Sequence, residues 1–253
     1  MGKVLVERDA KGVVWLTINR VEKRNAIDYD VMQGFKETIE EVARNKEDKV
    51  LVITGAGNKA FCSGGDLSVF HGLHTKDEAY SMLSKMGDIL YQLLTLPKPT
   101  VCLLNGTAIG GGCEIAAACD FRVAAKNAKF GFVQGKLAIT TGWGGATMLL
   151  EKLPYEKAMT ILFSAEKYTA SEGVEMGFIH HVWDEMNVRL QCENWLDQFV
   201  TQSSTVLEAY KKTAIRKWNH SNIYKRMFEE IENCSLLWEM DEHHAAVNSF
   251  LNK

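Results

Sequence analysis

The sequence lacks any run of about 20 uncharged apolar residues, the length that a helix needs to cross a membrane. Its N-terminus also lacks the apolar core of a secretory signal peptide. Neither sign of charge is in large excess, because 29 lysines and arginines stand against 32 aspartates and glutamates. A basic surface of the kind that binds nucleic acid is therefore not expected. These absences predict a protein with no membrane partner and no nucleic-acid partner.

Cysteine pairs are missing as well: six cysteines are scattered along the chain and none forms a C-x-x-C motif. Several lie in apolar runs, among them Cys102, Cys113 and Cys119, as buried free thiols do. This usage predicts a reduced, cytoplasmic compartment. His71 and His74 form an H-x-x-H pair without a third ligand at a useful spacing, so we expect surface histidines and no metal site.

Strand-like and helix-like segments alternate along most of the chain. Residues 4–9 and 12–19 predict a β-hairpin, and Asp28 is placed to cap a helix whose apolar stripe is Val31, Phe35, Ile39 and Val42. Further strands are predicted over 50–54, 101–104, 120–125 and 179–183, and helices over 29–45, 67–95 and 155–176. After Asp184 the spacing is helical, in segments 186–201, 205–218 and 221–240. This order is typical of an α/β core with a helical tail.

The most informative stretch is PKPTVCLLNGTAIGGGCE, residues 97–114. An apolar strand-like run ends at Asn105-Gly106, three glycines follow at 110–112, and a helix-favouring run begins at Cys113. A strand, a glycine turn and a helix start leave backbone N–H groups unpaired and directed at a ligand. The spacing matches neither the Walker loop nor the Rossmann fingerprint. Two interpretations stay open: an oxyanion hole beside the acid/base residue Glu114, or close helix packing with Glu114 as a helix N-terminal charge.

A second glycine turn follows another strand. Residues 50–66, VLVITGAGNKAFCSGGD, again run from an apolar strand into a glycine-rich loop, and Gly64-Gly65-Asp66 precedes a helical segment. Glycine allows a backbone to approach a ligand closely. The two turns together could supply two N–H groups to one oxygen, which favours the oxyanion-hole interpretation.

The motifs AFCSGGDL at 60–67 and NGTAIGGGCE at 105–114 together resemble the crotonase superfamily, the enoyl-CoA hydratase/isomerase family. The resemblance extends from RNAI at 24–27 to SFLNK at 249–253. It implies an α/β, crotonase-like (ClpP/crotonase) fold: a spiral core of repeated ββα units over 1–195 and a C-terminal helical trimerisation or lid region over 196–253. It also implies an acyl-CoA substrate, no cofactor apart from the coenzyme A of that substrate, and a homotrimer or homohexamer (dimer of trimers).

The resemblance also assigns roles in the chemistry. The thioester oxygen would be held by the N–H groups of Gly65 and Gly111, and Glu114 matches the first of two catalytic glutamates in the family's hydratases. The second glutamate of that pattern lies twenty residues further on, where this chain has Gln134. Glutamine cannot exchange a proton near neutral pH. The two-carboxylate pair is therefore absent unless an acid from the helical tail or from the 67–80 segment replaces it.

Ligand contacts are assigned by the same resemblance. Trp143 is expected either to pack at a helix start in the core or to form a wall of the acyl pocket. Arg24 is expected either to bind coenzyme A or to lie in a solvated loop. The residues expected to bind coenzyme A are Arg24, Ala26, Ser63, Asp66, Leu67 and Lys253.

Three functions follow from these residues. The main prediction is an enoyl-CoA hydratase, a lyase of fatty-acid or related acyl-CoA metabolism, in which Glu114 acts alone as base and acid while Gln134 positions the water. The second is an alkylmalonyl-CoA decarboxylase, because loss of CO₂ generates an enolate without a base. The segment FGFVQGKLAITTGWGG, residues 130–145, resembles that of such decarboxylases. The third is a catalytically weakened acyl-CoA-binding or scaffold protein.

Overall fold

Two β-sheets form the centre of the computed structural model, which describes residues 2–251. The strands are β1 (Val4–Arg8), β2 (Val13–Ile18), β3 (Val50–Gly55), β4 (Ala60–Cys62), β5 (Thr100–Leu104), β6 (Thr107–Ile109), β7 (Phe121–Ala125), β8 (Lys129–Gly131), β9 (Tyr168–Thr169) and β10 (His181–Trp183). The larger sheet has the order β1-β2-β3-β5-β7-β10, and the smaller sheet has the order β4-β6-β8-β9.

The larger sheet is parallel except for its first pair of strands. β1 and β2 pair in antiparallel fashion, which confirms the predicted hairpin. From β2 to β10 every pairing is parallel. β2, β3 and β5 are buried at every position. Strands covered on both faces need continuous apolar runs, and this explains why their sequences do not alternate.

The helices are α1 (Tyr29–Arg44), α2 (Leu67–Phe70), α3 (Lys76–Leu94), α4 (Gly111–Ala118), α5 (Gly145–Lys152), α6 (Tyr155–Ser164), α7 (Ala170–Met176), α8 (Val188–Val200), α9 (Ser204–His220), α10 (Ile223–Trp238) and α11 (Asp241–Leu251). Three times, a strand of the larger sheet is followed by a strand of the smaller sheet and then by a helix. This repetition confirms the predicted core of ββα units.

The first long helix, α1, forms as its sequence predicts. The Asp28 side chain accepts a hydrogen bond from the Val31 N–H at 3.0 Å and so caps the helix. The predicted apolar stripe is buried at all four positions: Val31, Phe35, Ile39 and Val42.

Two predicted helices are interrupted in the structure. The 67–95 segment divides into α2 and α3, because Thr75 and Glu78 form a capping box that starts a new helix. The 155–176 segment divides at Ala165, which has a left-handed backbone, and the second part restarts at a capping box of Thr169 and Glu172. Continuous helices were the wrong prediction at both places, although each T-x-x-E pattern is visible in the sequence.

Helices α8 to α11 form the helical tail. α10 packs against α3 and α5, so the tail covers part of the core. Trp218 and Trp238 are buried, and Trp195 packs on Phe121. The boundary placed between residues 195 and 196 lies inside α8, and the division into two regions stays a prediction.

The cysteine side chains and those of the H-x-x-H histidines differ in exposure. All six cysteines are free and buried. His71 and His74 are exposed, and within residues 2–251 no group of three or more His, Cys, Asp or Glu side chains is placed to hold a metal ion. Among the helices of the described chain, none is both long enough and apolar enough to span a membrane.

A buried ion pair joins α9 to the start of β7 and is expected to hold the helical tail on the core. Lys211 is 7% exposed and its ammonium binds the Asp120 carboxylate, which also accepts hydrogen bonds from Thr100. Lys211→Ala leaves that charge without its cation, so we expect the free energy of unfolding in urea to fall by about 2–3 kcal/mol.

The neighbouring residue provides a matched control for this substitution. Lys212 pairs with Glu208 on the exposed face of the same helix, with 54% of its side chain exposed. Lys212→Ala should change the free energy of unfolding by less than about 0.5 kcal/mol. Equal losses for the two variants would show that the ion pair of Lys211 does not hold α9 to the core.

Candidate active site

The two glycine turns predicted from the sequence meet in the structure. They follow β4 and β6, which are parallel neighbours in the smaller sheet. Gly64 has a positive φ of 91°, and a Cβ atom there would lie 3.1 Å from the Gly111 nitrogen. A Cβ atom on Gly112 would lie 2.3 Å from the Cys62 carbonyl oxygen. Only glycine permits this approach of the two backbones.

Gly65 and Gly111 present the N–H groups that the sequence assigns to the oxyanion hole. Hydrogen bonds from Ile27 N–H to the Gly64 oxygen and from Asp66 N–H to the Ile27 oxygen, at 2.8 and 2.9 Å, hold the peptide of Gly65. Gly111 is the first residue of α4, where helix geometry leaves the N–H without an intrahelical acceptor. Among the hydrogen bonds of residues 2–251, neither N–H donates to a protein acceptor. The geometry suits an oxyanion hole, and that role stays a prediction.

The Trp143 ring covers this pair of glycines. A Cβ atom on Gly111 would lie 2.1 Å from the ring, and one on Gly65 would lie 3.8 Å from it. Trp143 is 4% exposed. The indole therefore packs directly against the predicted oxyanion hole, as both a core residue and a pocket wall would.

Glu114 lies on the first turn of α4 and is 2% exposed. Its Oε2 accepts hydrogen bonds from the N–H groups of Trp143 and Gly145, both at 2.8 Å. Its Oε1 accepts hydrogen bonds from Gln134 Nε2 at 2.9 Å and from the Gly142 N–H at 3.3 Å. The loop 142–145 thus wraps the carboxyl group. Residue 145 must be glycine, because a Cβ atom there would lie 2.7 Å from Oε2.

Burial, together with the nearby Glu230 carboxylate, raises the pKa of Glu114 to about 7. The three backbone N–H groups act in the opposite direction, because they stabilise the ionised form. The balance leaves Glu114 able to take up and release a proton near neutral pH.

Gln134 lies in a 3₁₀ turn, residues 134–137, and contacts Glu114 directly. Its amide nitrogen donates to the carboxyl group. Its Oε1 is buried and accepts no hydrogen bond from the described residues. The structure therefore brings together the two side chains that the sequence pairs at this site, with an amide in place of a second acid.

Five of the residues assigned to coenzyme A form one loop cluster beside the glycines: Arg24, Ala26, Ser63, Asp66 and Leu67. The Ser63 N–H donates to the Arg24 oxygen at 3.1 Å, and Arg24 itself is exposed. Asp66 is buried and its carboxylate already binds Arg20 at 2.8 Å while capping α2, which begins at Leu67. Its side chain is therefore engaged in holding the loop. The contacts of these residues with coenzyme A stay predictions.

Ala26 and Lys253 are also among the residues assigned to coenzyme A binding. Ala26 is buried, and its carbonyl oxygen accepts a hydrogen bond from Arg20 Nη1 at 2.7 Å. Arg20 thereby ties Ala26 to Asp66. Lys253 lies outside the described residues.

Arg20 and Glu230 are the residues of this region that sequence reasoning missed. Arg20 is buried and its partner Asp66 lies 46 residues away, so no local pattern marks it. Glu230 does carry a signal: it lies between Met227 and Ile231, on the face of α10 that is otherwise buried and apolar. An acid on an apolar stripe indicates a buried partner.

The raised pKa of Glu114 predicts a pH-dependent stability. The folded protein binds a proton on Glu114 more tightly than the unfolded chain, whose glutamate has a pKa near 4.5. The stabilising contribution is therefore complete below about pH 4.5 and is lost as the pH rises through about 7. Between pH 5 and pH 8 the free energy of unfolding should fall by roughly 2–3 kcal/mol for this reason.

The variant Glu114→Gln isolates this contribution. It cannot titrate, so the difference in free energy of unfolding between the variant and the natural protein should change by roughly 2–3 kcal/mol in favour of the variant between pH 5 and pH 8. Any loss of stability caused by placing an amide against the loop 142–145 does not depend on pH. It therefore cancels when the differences at pH 5 and pH 8 are compared. A constant difference across that range would contradict the raised pKa.

Known proteins share both the motifs and the fold. The family model described as enoyl-CoA hydratase/isomerase matches residues 8–253. A short-chain-enoyl-CoA hydratase of Clostridium acetobutylicum is 28% identical over 254 residues, covering 100% of this chain and 96% of its own. An ethylmalonyl-CoA decarboxylase of Rattus norvegicus is 32% identical over 215 residues, covering 84% of this chain and 72% of its own.

Solved structures agree with the sequence relatives. An enoyl-CoA hydratase from Bacillus halodurans has a TM-score of 0.89 at 22% identity and covers 98% of this chain and 100% of its own. A carnitinyl-CoA hydratase from Mycobacterium avium has a TM-score of 0.84 at 27% identity and covers 100% of this chain and 96% of its own. The crotonase-like fold is thus confirmed, and the chain belongs to the enoyl-CoA hydratase/isomerase family.

Proposed function

We propose that this protein is an acyl-CoA lyase that stabilises a thioester enolate, and that the reaction its site supports best is decarboxylation of an alkylmalonyl-CoA. The observation that carries the proposal is the direct hydrogen bond from Gln134 Nε2 to Glu114 Oε1 at 2.9 Å, beside the glycine turns. It leaves one proton-exchanging group, Glu114, within this pair.

The enolate would form at the two glycine N–H groups. The thioester oxygen accepts hydrogen bonds from Gly65 and Gly111, and its negative charge grows as the enolate forms. Donors that are already fixed in place stabilise that charge without reorganisation, and loss of one such donor typically costs ~10²–10³ in rate. The Trp143 ring covers the same glycines, so it helps to exclude water and strengthens these hydrogen bonds.

Hydration would require Glu114 to take a proton from the attacking water, and the hydrogen bonds around Glu114 oppose this step. A carboxylate has about four acceptor positions, and protein donors occupy all of them here: two on Oε1 and two on Oε2. To take a proton from a bound water, an ionised Glu114 would first have to give up one of these hydrogen bonds, of which the longest comes from the Gly142 N–H at 3.3 Å. The contact with Gln134 also closes the space in which a water molecule would lie between the two side chains.

Decarboxylation asks for one proton transfer. The bond between the α-carbon and the substrate carboxylate breaks, its electron pair enters the enolate, and CO₂ leaves. The protonated Glu114 then donates its proton to the α-carbon, which gives the shortened acyl-CoA, and recovers a proton from solvent. Burial raises the pKa of Glu114 to about 7, which suits a proton donor at neutral pH.

Hydration of a short-chain enoyl-CoA is the second candidate. The same pKa of about 7 would let one carboxyl group act first as base and then as acid. The names of the relatives support both candidates, since they include a short-chain-enoyl-CoA hydratase, a crotonyl-CoA hydratase and ethylmalonyl-CoA decarboxylases. A binding or scaffold protein is the third interpretation, and it would need no proton-exchanging residue at this position.

The variant Gln134→Glu separates the reactions when it is assayed with ethylmalonyl-CoA and crotonyl-CoA, with products followed by mass spectrometry. For a decarboxylase, the new carboxylate faces the substrate carboxylate, and two like charges ~4 Å apart cost about 4 kcal/mol at an effective dielectric of ~20. Decarboxylation should then slow by at least about tenfold. For a hydratase, a second carboxyl group should raise hydration about tenfold or more.

The control is Glu114→Gln, which should lose ~10²–10⁴ of turnover on the active substrate while binding the thioester almost unchanged. A natural protein that hydrates crotonyl-CoA and leaves ethylmalonyl-CoA intact would replace the first candidate by the second. Binding without turnover of either compound would favour the scaffold interpretation. A Gln134→Glu protein unchanged on both substrates would show that residue 134 does not face the reacting carbons.

We also propose that the chain acts as a homo-oligomer, a trimer or a dimer of trimers, in the cytoplasm and with no cofactor beyond the coenzyme A of its substrate. Large apolar side chains that are exposed in the single chain support self-association: Tyr155, Phe163, Met186 and Tyr210. Sedimentation at micromolar concentration should give a species of at least three chains. A monomer would refute this part of the proposal.

A further inference from the structure

A carboxyl group from the helical tail lies against the loop that holds Glu114. Glu230 of α10 accepts hydrogen bonds from Thr141 Oγ1 at 2.5 Å, from the Ala146 N–H at 3.1 Å and from the Thr147 N–H at 2.7 Å. The residue is half-buried, and burial raises the pKa of its carboxyl group. The proposed reaction does not involve this acid directly.

Glu114 and Glu230 share the start of α5. Its first three residues supply three consecutive N–H groups that have no acceptor within the helix. The N–H of Gly145 donates to Glu114, and those of Ala146 and Thr147 donate to Glu230. The segment 141–147 is therefore clamped between one carboxyl group from α4 and one from α10.

Two negative charges at one helix start are not equally well stabilised. A helix N-terminus is equivalent to roughly half a positive charge, which offsets part of one carboxylate charge. The Glu230 carboxylate accordingly raises the pKa of Glu114. Burial raises the pKa of both carboxyl groups, and for Glu114 the Glu230 carboxylate is the next largest cause, so near neutral pH the charge resides mainly on Glu230.

We infer that Glu230 is a positioning residue that shares a single negative charge with Glu114 near neutral pH, carries most of that charge itself, and so keeps the catalytic proton on Glu114. The inference rests on the proposed role of Glu114 as a proton donor. On this inference the site has a second carboxyl group, that of Glu230. It acts through Glu114 and does not contact the substrate.

The other charged groups around α10 have partners of their own. α10 packs against α3, α5, α9 and α11. Cys234, one turn further along α10, has a thiol whose pKa is raised by burial and by both carboxylates. Further pairs are Arg226 and Lys217 with Glu151, Lys225 with Glu229, Lys76 with Glu232, Asp88 with Tyr224, and His243 with the Leu137 carbonyl. Glu114 is therefore the acid across the loop whose charge Glu230 controls.

Carbon-13 NMR of protein labelled at the glutamate side-chain carboxyls tests the inference without substrate. The resonance missing from Glu114→Gln identifies Glu114, and its titration is followed in the natural protein and in Glu230→Gln. Removing a nearby like charge should lower the midpoint of Glu114 by about one pH unit or more. Glu229→Gln is the matched control, because Glu229 is the exposed neighbour paired with Lys225, and it should leave the midpoint within about 0.2 units.

Activity provides the second readout. With the substrate that is turned over, the loss of rate at high pH should move to lower pH by the same amount in Glu230→Gln. A uniform loss at every pH with an unmoved midpoint would mean that Glu230 only holds the loop, and the inference would be wrong. A moved midpoint in a protein that turns over neither substrate would leave the carboxyl pair established and refute the proposed function alone.

A second variant covers failure of Glu230→Gln to fold. Thr141→Ala removes the hydroxyl that stabilises the Glu230 charge at 2.5 Å, and it should lower the Glu114 midpoint in the same direction by a smaller amount. An unmoved or raised midpoint in this variant would overturn the inference.

Discussion

The carboxyl group of Glu114, enclosed by protein on every side, is the constraint on which the site depends. A carboxyl group removed from water must be supplied with hydrogen bonds, and the chain supplies four, from Gln134 and from three N–H groups of the loop 142–145. That loop can wrap the carboxyl group because residue 145 has no side chain. The same wrapping starts α5 and places the Trp143 ring on the two glycines of the predicted oxyanion hole. One buried acid thereby fixes the start of a helix and the position of a ring that lies against the predicted pair of backbone donors.

Backbone groups and side chains would have different tasks in the site, which would allow one fold to support several reactions. Backbone N–H groups would stabilise the enolate, and they are present whatever the side chains are. The side chains would decide which bond is made or broken around that enolate. With Gln134 in contact with Glu114, only one of the pair exchanges protons, and this favours a reaction that needs one proton delivered over one that needs a water molecule activated first.

The helical tail contributes to the site as well as covering the core. Lys211 of α9 binds Asp120 at the start of β7, and Glu230 of α10 binds the start of α5. Both contacts join residues separated by more than eighty positions in the chain. The protonation state of Glu114 therefore depends on a helix that follows the α/β core in sequence and returns to it in space.

The sequence by itself determined the features that rest on short-range patterns. The hairpin, the capped helix α1 and the two glycine turns are readable within a few residues, because turn formation, capping and backbone freedom are local properties. The replacement of the second glutamate by Gln134 is read from the family resemblance, twenty residues after Glu114. The interruptions of two predicted helices also have local signals, the T-x-x-E patterns at 75–78 and 169–172, although the apolar spacing alone predicts continuous helices there. Only the tertiary structure decided that Gln134 donates directly to Glu114, that Arg20 ties Ala26 to Asp66, and that Glu230 reaches the start of α5. Each of these is a hydrogen bond between groups far apart in the chain, and its existence depends on how helices and sheets pack, which no local pattern of residues specifies.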